Sequence, residues 1–296
     1  MNVRPVVIAL DGSRTSWTAL EWAVDEARRT SRPLHVVGVC DVTQDGTVDG
    51  IVDVQRLLDD AAATVQTIAP ALPVQTDALL GEATDELVDI SRTSALLVLG
   101  RCRPGPGFLL HRSVMHRVLT HSHCPTVLVS GVPAVDATTV VVGVSESDGG
   151  RAALRFAFAE ARLRDAALVA VRSSRPNGWG LAGAVAAQTP SLALLDSRDR
   201  TLTADLLRPF ADLCPAVKIE TVVSYMPLET LLEQAGQNAA MVVLGCRRED
   251  GGHLGRLGPV ASWIAERVDF PVAVVGRDAS AAVPVLIGAD PGTVPA

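Results

Sequence analysis

Val6-Val7-Ile8-Ala9-Leu10-Asp11-Gly12-Ser13, close to the start of the chain, is written again as Val140-Val141-Val142-Gly143-Val144-Ser145-Glu146-Ser147. In both copies an aliphatic run without polar alternation stops at a short polar turn, the pattern of a strand buried on both faces. The next stretch is repeated too. Ala19-Leu20-Glu21-Trp22-Ala23-Val24-Asp25-Glu26-Ala27 is answered by Ala153-Leu154-Arg155-Phe156-Ala157-Phe158-Ala159-Glu160-Ala161, an Ala-rich amphipathic helix in each case. Further out, Leu97-Val98-Leu99-Gly100 is matched by Val242-Val243-Leu244-Gly245. Cys124-Pro125-Thr126-Val127-Leu128-Val129 is matched by Phe270-Pro271-Val272-Ala273-Val274-Val275. Such a duplication predicts two domains of one fold, so each candidate site can be compared with its own copy.

Within each half, short Val/Leu/Ile-rich runs alternate with longer helical patterns. The first half reads as strands near 5–10, 34–40, 73–79, 96–100 and 126–130, with helices near 15–30, 51–68, 83–93 and 112–121. The second reads as strands near 138–144, 167–172, 217–223, 240–245 and 271–275, with helices near 149–164, 192–212, 228–238 and 258–268. This alternation predicts right-handed βαβ units and a parallel sheet with helices on both faces. The expected units are 1–133 and 134–278, followed by a tail over 279–296. A long irregular segment opens at Arg175-Pro176-Asn177-Gly178-Trp179-Gly180 in the second half only. In the tail, Val285-Leu286-Ile287-Gly288-Ala289-Asp290 resembles the first strand begun a third time, against the alternative of a loose end.

The 296 residues, 48% of them hydrophobic, suffice for two cores. A net charge of −7 argues against nucleic acid or an anionic membrane surface as partner. Lys218 is the only lysine, which excludes a phosphate-loop lysine. The five cysteines (Cys40, Cys102, Cys124, Cys214, Cys246) are odd in number and follow no disulfide framework. No signal peptide is evident, and every apolar run is cut by charge, Gly or Pro, so the expectation is a reduced, cytoplasmic protein without membrane insertion.

In such sheets ligands gather at the C-terminal strand ends where strand order reverses. Three signals fall there. Asp11-Gly12 ends the first strand. Gly100 ends the fourth and opens Arg101-Cys102-Arg103-Pro104-Gly105-Pro106-Gly107. Arg112-Ser113-Val114 stands at the expected start of the next helix, where free N–H groups favour an anion. A carboxylate for a ribose or metal and a Gly-rich loop for phosphate would make a nucleotide cleft. The alternatives are a turn residue at Asp11 and an ordinary polar, basic connection after Gly100.

At these residues the chain resembles the universal stress protein family in its tandem form. The resemblance rests on Val7 to Ser13, on Gly100 with its loop and Ser113-Val114, and on the closing Cys-Pro-Thr-Val-Leu-Val strand, and it covers roughly 4–131 and 138–277. It implies an adenine nucleotide alpha hydrolase-like α/β fold: two tandem five-stranded parallel-sheet domains, each of strand order 3-2-1-4-5. It further implies ATP or another adenine nucleotide as ligand, with Asp11 at the ribose and the backbone of Val39 and Cys40 at the adenine. The family's loop is Gly-x-x-Gly followed at a fixed interval by Gly-Ser or Gly-Thr. Here Arg103 stands at the second Gly, the loop is one residue short, and Arg112 precedes Ser113. In the second half Gly245 and Gly258 keep the interval, but Arg248 replaces the second Gly, Pro259 the Ser, and Ser145 the strand-one Asp. A Cβ in place of those glycines obstructs the approach of phosphate to backbone, so the second site reads as degenerate. Arg101, Arg103 and Arg112 are left to meet phosphate through side chains in the first.

Two separate sheets are expected, their apolar closing edges facing each other across a pseudo-two-fold axis, since an exposed apolar edge invites pairing. Self-association by those edges, within the chain and as a homodimer, and an unnamed regulatory protein are the expected partners. His111, His116, His121, His123 and Cys124 crowd one segment but lack carboxylates at ligand spacing, so no metal is expected. Cys102 and Cys246 beside arginines are candidate redox thiols, and Trp17, Trp22 and Trp263 candidate core or interface aromatics. Three functions remain open: a non-catalytic, nucleotide-tuned stress regulator; an interaction protein that has lost its ligand; and an adenylyl-transferring or nucleotide-hydrolysing enzyme. The last is disfavoured because Asp11-Gly12-Ser13-Arg14-Thr15 is only a partial pyrophosphate loop.

Overall fold

The computed structural model describes residues 3–41, 48–101, 108–131, 137–174, 190–246, 258–277 and 279. The expectations for Cys102, Arg103, Arg248, the boundary between the units at 133 and 134, the segment from Arg175 and the tail strand at 285–290 lie outside the described residues.

The first half runs β1 (Val6–Leu10), α1 (Arg14–Arg29), β2 (Leu34–Cys40), α2 (Val48–Ile68), β3 (Val74–Leu80), α3 (Ala83–Ser91), β4 (Leu96–Gly100), α4 (Phe108–His121) and β5 (Thr126–Val129). The second runs β6 (Thr139–Gly143), α5 (Asp148–Leu163), β7 (Ala167–Ser173), α6 (Pro190–Leu213), β8 (Ile219–Ser224), α7 (Leu228–Gly236), β9 (Met241–Gly245), α8 (Pro259–Arg267) and β10 (Val272–Val275). Both leading helices start alike. Ser13 and Ser147 are N-caps whose hydroxyl oxygens accept the N–H of Ser16 at 3.2 Å and of Gly150 at 3.1 Å.

All ten strands form one sheet of order β3-β2-β1-β4-β5-β10-β9-β6-β7-β8. This corrects the expectation of two separate sheets. Pairing is parallel within each half, and β5 joins β10 antiparallel in the register Leu128 to Val272, Val127 to Ala273 and Thr126 to Val274. The reason is the one that made the edges suspect. Two apolar strands with unpaired N–H and C=O groups satisfy one another, and an axis between them reverses one direction. The outer strands β3 and β8 instead carry a carboxylate each, Asp77 half-buried and Glu220 exposed, which discourages further pairing.

The sheet separates two cores that each run through both halves. On one face α1, α2, α5 and α6 pack over Ile8, Val98, Val127, Val142 and Ala273. On the other, α3, α4, α7 and α8 pack over Val7, Leu97, Leu128, Val141 and Val272. Trp22 is buried and Trp17 partly buried in the first core; Trp263 packs at the margin of the second, with Arg267 over its ring. No helix among the described residues is long and apolar enough to cross a membrane.

Candidate functional site

In the order β3-β2-β1-β4 the chain leaves β1 toward one edge and returns on its other side, so the crevice lies at the C-terminal ends of β1 and β4. Asp11 stands there, exposed at the end of β1. Its Oδ1 accepts the Ser13 N–H at 2.9 Å and shapes the turn into α1, where Gly12 takes φ +77°. The turn geometry and an exposed carboxylate therefore coexist at one residue. At the end of β2, Val39 is half-buried and Cys40 buried, and the Cys40 carbonyl accepts the Gly81 N–H at 3.2 Å.

Gly100 has a reason that needs no ligand: a Cβ there would lie 2.6 Å from the Ser16 backbone nitrogen, because the first turn of α1 rests on the end of β4. Gly245 repeats this, its Cβ falling 2.5 Å from the Gly149 carbonyl carbon of α5. The Arg101 guanidinium is engaged across the seam. It donates to Asp269 Oδ1 of the other half at 2.8 Å, with the side chain 8% exposed. The helix start is revised. Since α4 begins at Phe108, Arg112, Ser113 and Val114 sit in its second turn, where backbone N–H groups bond to carbonyls four residues back. They are not the free donors that an anion at a helix start needs. The side chains of Arg112 and Ser113 lie outside what is described; Val114 packs against the core.

The second crevice is built differently. Ser145 holds the place of Asp11, its Oγ 2.9 Å from Ser147 Oγ. By strand register Arg172 in β7 is the counterpart of Gly38 in β2, and Glu146 of Gly12. Arg172 donates from Nε to Asp199 Oδ1 at 3.0 Å and lies 3.6 Å from Glu146 Oε2, only 15% exposed. An internal ion-pair network thus stands where the first half has two glycines. Comparing the copies at Gly38 and Gly12 was the signal that would have revealed it. Here α8 does begin at the expected point, with Gly258 as N-cap and Pro259 in the first turn, and no atom lies within 4 Å of where a Gly258 Cβ would be.

The structure also gathers His116 of α4 with Ser262 and Glu266 of α8. Glu266 Oε1 lies 3.0 Å from His116 Nε2 and accepts from Ser262 Oγ at 3.1 Å, while Ser262 Oγ is 3.5 Å from the same Nε2. A serine and a carboxylate on one ring nitrogen cannot work as a nucleophile relay, which needs them on opposite nitrogens. The cluster ties the halves together. His121 Nδ1 is 2.8 Å from the Arg117 carbonyl at the helix end. Cys246 is buried, which removes the exposure a redox sensor needs, and burial pushes the Cys124 thiol up to about 12.

The family model described as Universal stress protein family matches residues 2–130 and 137–276. A universal stress protein of Mycobacterium tuberculosis is 35% identical over 173 residues, spanning 57% of this chain and 64% of that relative's length. A second from the same species is 29% identical over 295 residues, covering 92% of this chain and 96% of the relative. The crystal structure of a universal stress protein from Archaeoglobus fulgidus superposes with a TM-score of 0.70 at 15% identity, over 94% of this chain and all of that one, a likeness of fold. Two tandem matches over nearly the whole length, on a parallel-dominated α/β sheet, show that the chain belongs to the universal stress protein family.

Proposed function

We propose that this protein is a non-catalytic, cytoplasmic stress-response regulator that takes one adenine nucleotide, ATP or a relative, in its first-half crevice and none in the second. The observation that carries this reading is the asymmetry of the crevices. The first presents the exposed Asp11 carboxylate beside Gly12 and Gly38, and the second holds Ser145 beside the Glu146–Arg172–Asp199 network. Asp11 would accept a ribose hydroxyl, and the backbone after β2 at Val39 would meet the adenine edge. The phosphates would find fewer donors than is usual in the family, with Arg101 turned toward Asp269 and α4 starting early. Binding should therefore be weak. The nucleotide would tune association with a regulatory protein. Mass spectrometry of small molecules released from gently purified protein is the first test: an adenine nucleotide at up to one per chain supports the reading.

A second reading, an interaction protein that has lost its ligand, is favoured by the same two features, the Arg101–Asp269 pair and the early start of α4. Absence of any released nucleotide, together with no heat on titration with millimolar ATP, would select it. Turnover of bound nucleotide would revive the enzyme.

A further inference from the structure

Where α1 and α5 meet at the pseudo-two-fold axis, the duplication is broken at one position. Glu26 and Glu160 are the same place in the two copies, and both are buried, 1% and 0% exposed. The helices end on the same backbone: C-cap Thr30 has φ −88° and ψ −2°, C-cap Arg164 φ −97° and ψ −2°. Left-handed Ser31 and Asp165 come next, at φ 53° and 50°. Only the cap side chains differ. Thr30 donates its hydroxyl to the Glu26 carbonyl at 2.7 Å. Arg164 reaches both carboxylates, with Nη1 on Glu160 Oε2 and Nη2 on Glu26 Oε2 at 2.5 Å. Arg29 adds a second guanidinium to Glu26 Oε2 at 3.2 Å from a position 38% exposed. Oε1 of Glu26 and Oε1 of Glu160 are buried and have no hydrogen-bond partner among the described residues.

A symmetric junction would place two caps of equal charge against two carboxylates. This one has a single buried guanidinium, since the other cap is Thr30. Arg29 reaches Glu26 only from the solvent-exposed rim, so two ionised carboxylates around the one buried guanidinium are incompletely neutralised in a poorly solvated interior, and a proton removes the imbalance. Glu26 is bonded by Arg29 as well; among the described residues Glu160 is bonded by Arg164 alone. We propose that Glu160 is a proton-binding residue that couples the two halves. Carrying a proton, it lets α1 and α5 share Arg164 with one ionised carboxylate. Without the proton, two carboxylates compete for the one buried guanidinium and the contact between α1 and α5 loosens.

The electrostatics agree. Burial raises the Glu160 carboxyl to about 7; Arg164 opposes this, Glu26 adds to it, and Arg29 opposes weakly. The strands beneath turn Val140, Val142, Val243 and Ala273 to this face, and α6 contributes Leu207 and Phe210, all uncharged. A cleft of about 330 Å³ lined by Trp22, Asp25, Arg29, Leu163 and Arg164 opens beside the network and gives solvent protons a route to it. The folded value lies above the ordinary 4.5, so the folded chain holds a proton that the unfolded chain has released. The stabilisation is full below about 4.5 and is lost as pH rises through about 7.

The test is urea unfolding of the full chain and of Glu160→Gln between about pH 4.5 and about pH 8.5. The wild-type unfolding constant, taken relative to the variant's, should climb by up to about tenfold per pH unit and level off above about pH 7. Amide exchange in α1 and α5, corrected for intrinsic rates, should accelerate over the same range in the wild type and not in the variant. Thr30→Arg, which supplies the missing guanidinium on a matched backbone, should move the transition to lower pH. Should Glu160→Gln fail to fold, the infrared carbonyl band of a protonated carboxyl in the wild type serves instead, and it should vanish near neutral pH. Parallel pH profiles for wild type and variant, a carboxyl band absent throughout, or exchange in α1 and α5 that ignores pH would each overturn the proposal.

Discussion

Gly100 and Asp11 face the same crevice for different reasons. Gly100 is held by packing: a methyl at this position meets backbone of Ser16 and Thr15 within 2.8 Å, and backbone cannot step aside as a flexible side chain does. Gly100→Ala should destabilise the chain by about 1–3 kcal/mol, the usual cost of overpacking, whether or not nucleotide is present. A chemical denaturation curve checks this, and an unchanged midpoint would mean that α1 can shift freely. Asp11 accepts the Ser13 N–H within the turn and stands exposed at the crevice. On the proposed function Asp11→Ala should weaken ATP binding by about 1–3 kcal/mol, the scale of losing a charged hydrogen-bond acceptor. Ser145→Ala should leave it unaltered. Calorimetric titration of both variants decides the matter; two equivalent sites, or affinity indifferent to Asp11→Ala, would place the nucleotide elsewhere.

At the scale of elements, the repeat is preserved where helices begin and end and altered between those points. Ser13 and Ser147 cap α1 and α5 with the same hydrogen bond, and Thr30 and Arg164 close them at the same dihedrals. Ser147→Ala removes the acceptor for the Gly150 N–H and should cost about 1 kcal/mol of stability in thermal or urea unfolding. The helix bodies have diverged: Trp22 and Val24 of α1 correspond to Phe156 and Phe158 of α5, and Phe158 stacks on Phe210 of α6 with centroids 5.7 Å apart. The second half thus fills the same layer with larger aromatic volume.

For the whole molecule, the governing feature is that both cores pass through the β5–β10 pairing without interruption. Val127 faces one core and Val274 the other, and both are fully buried. Arg101–Asp269, the Ser130 hydroxyl donated to the Val268 carbonyl at 3.1 Å, and the His116–Ser262–Glu266 cluster reinforce the seam. The wild type should therefore unfold in one transition. Aspartate at both Val127 and Val274 places a charge in each core at the seam, and should split that transition into two or precipitate the protein. A single unshifted transition in that double variant would show that the seam carries little of the stability.

The amino-acid sequence alone determined the duplication, the βαβ alternation and the positions of nearly every strand. Those are carried by local signals: aliphatic runs such as Val140-Val141-Val142, serine caps, and the prolines before Thr126 and Val272. It also exposed the asymmetry between Asp11 and Ser145, because the copies align without gaps there. It did not show the long-range contact of Gly100 with α1, and it misplaced the start of α4, because Phe108-Leu109-Leu110 extends that helix backward by more than a turn. Arg101 and Asp269, Arg172 and Asp199, and Glu26 and Arg164 pair across long stretches of chain, and no spacing rule links them. Only the tertiary structure decided those pairings and the merging of two sheets into one. The apolar closing strands had marked which edges meet, but which charge meets which, and that the edges fuse into one ladder, depends on the relative placement of the halves, a property of packing that no local pattern encodes.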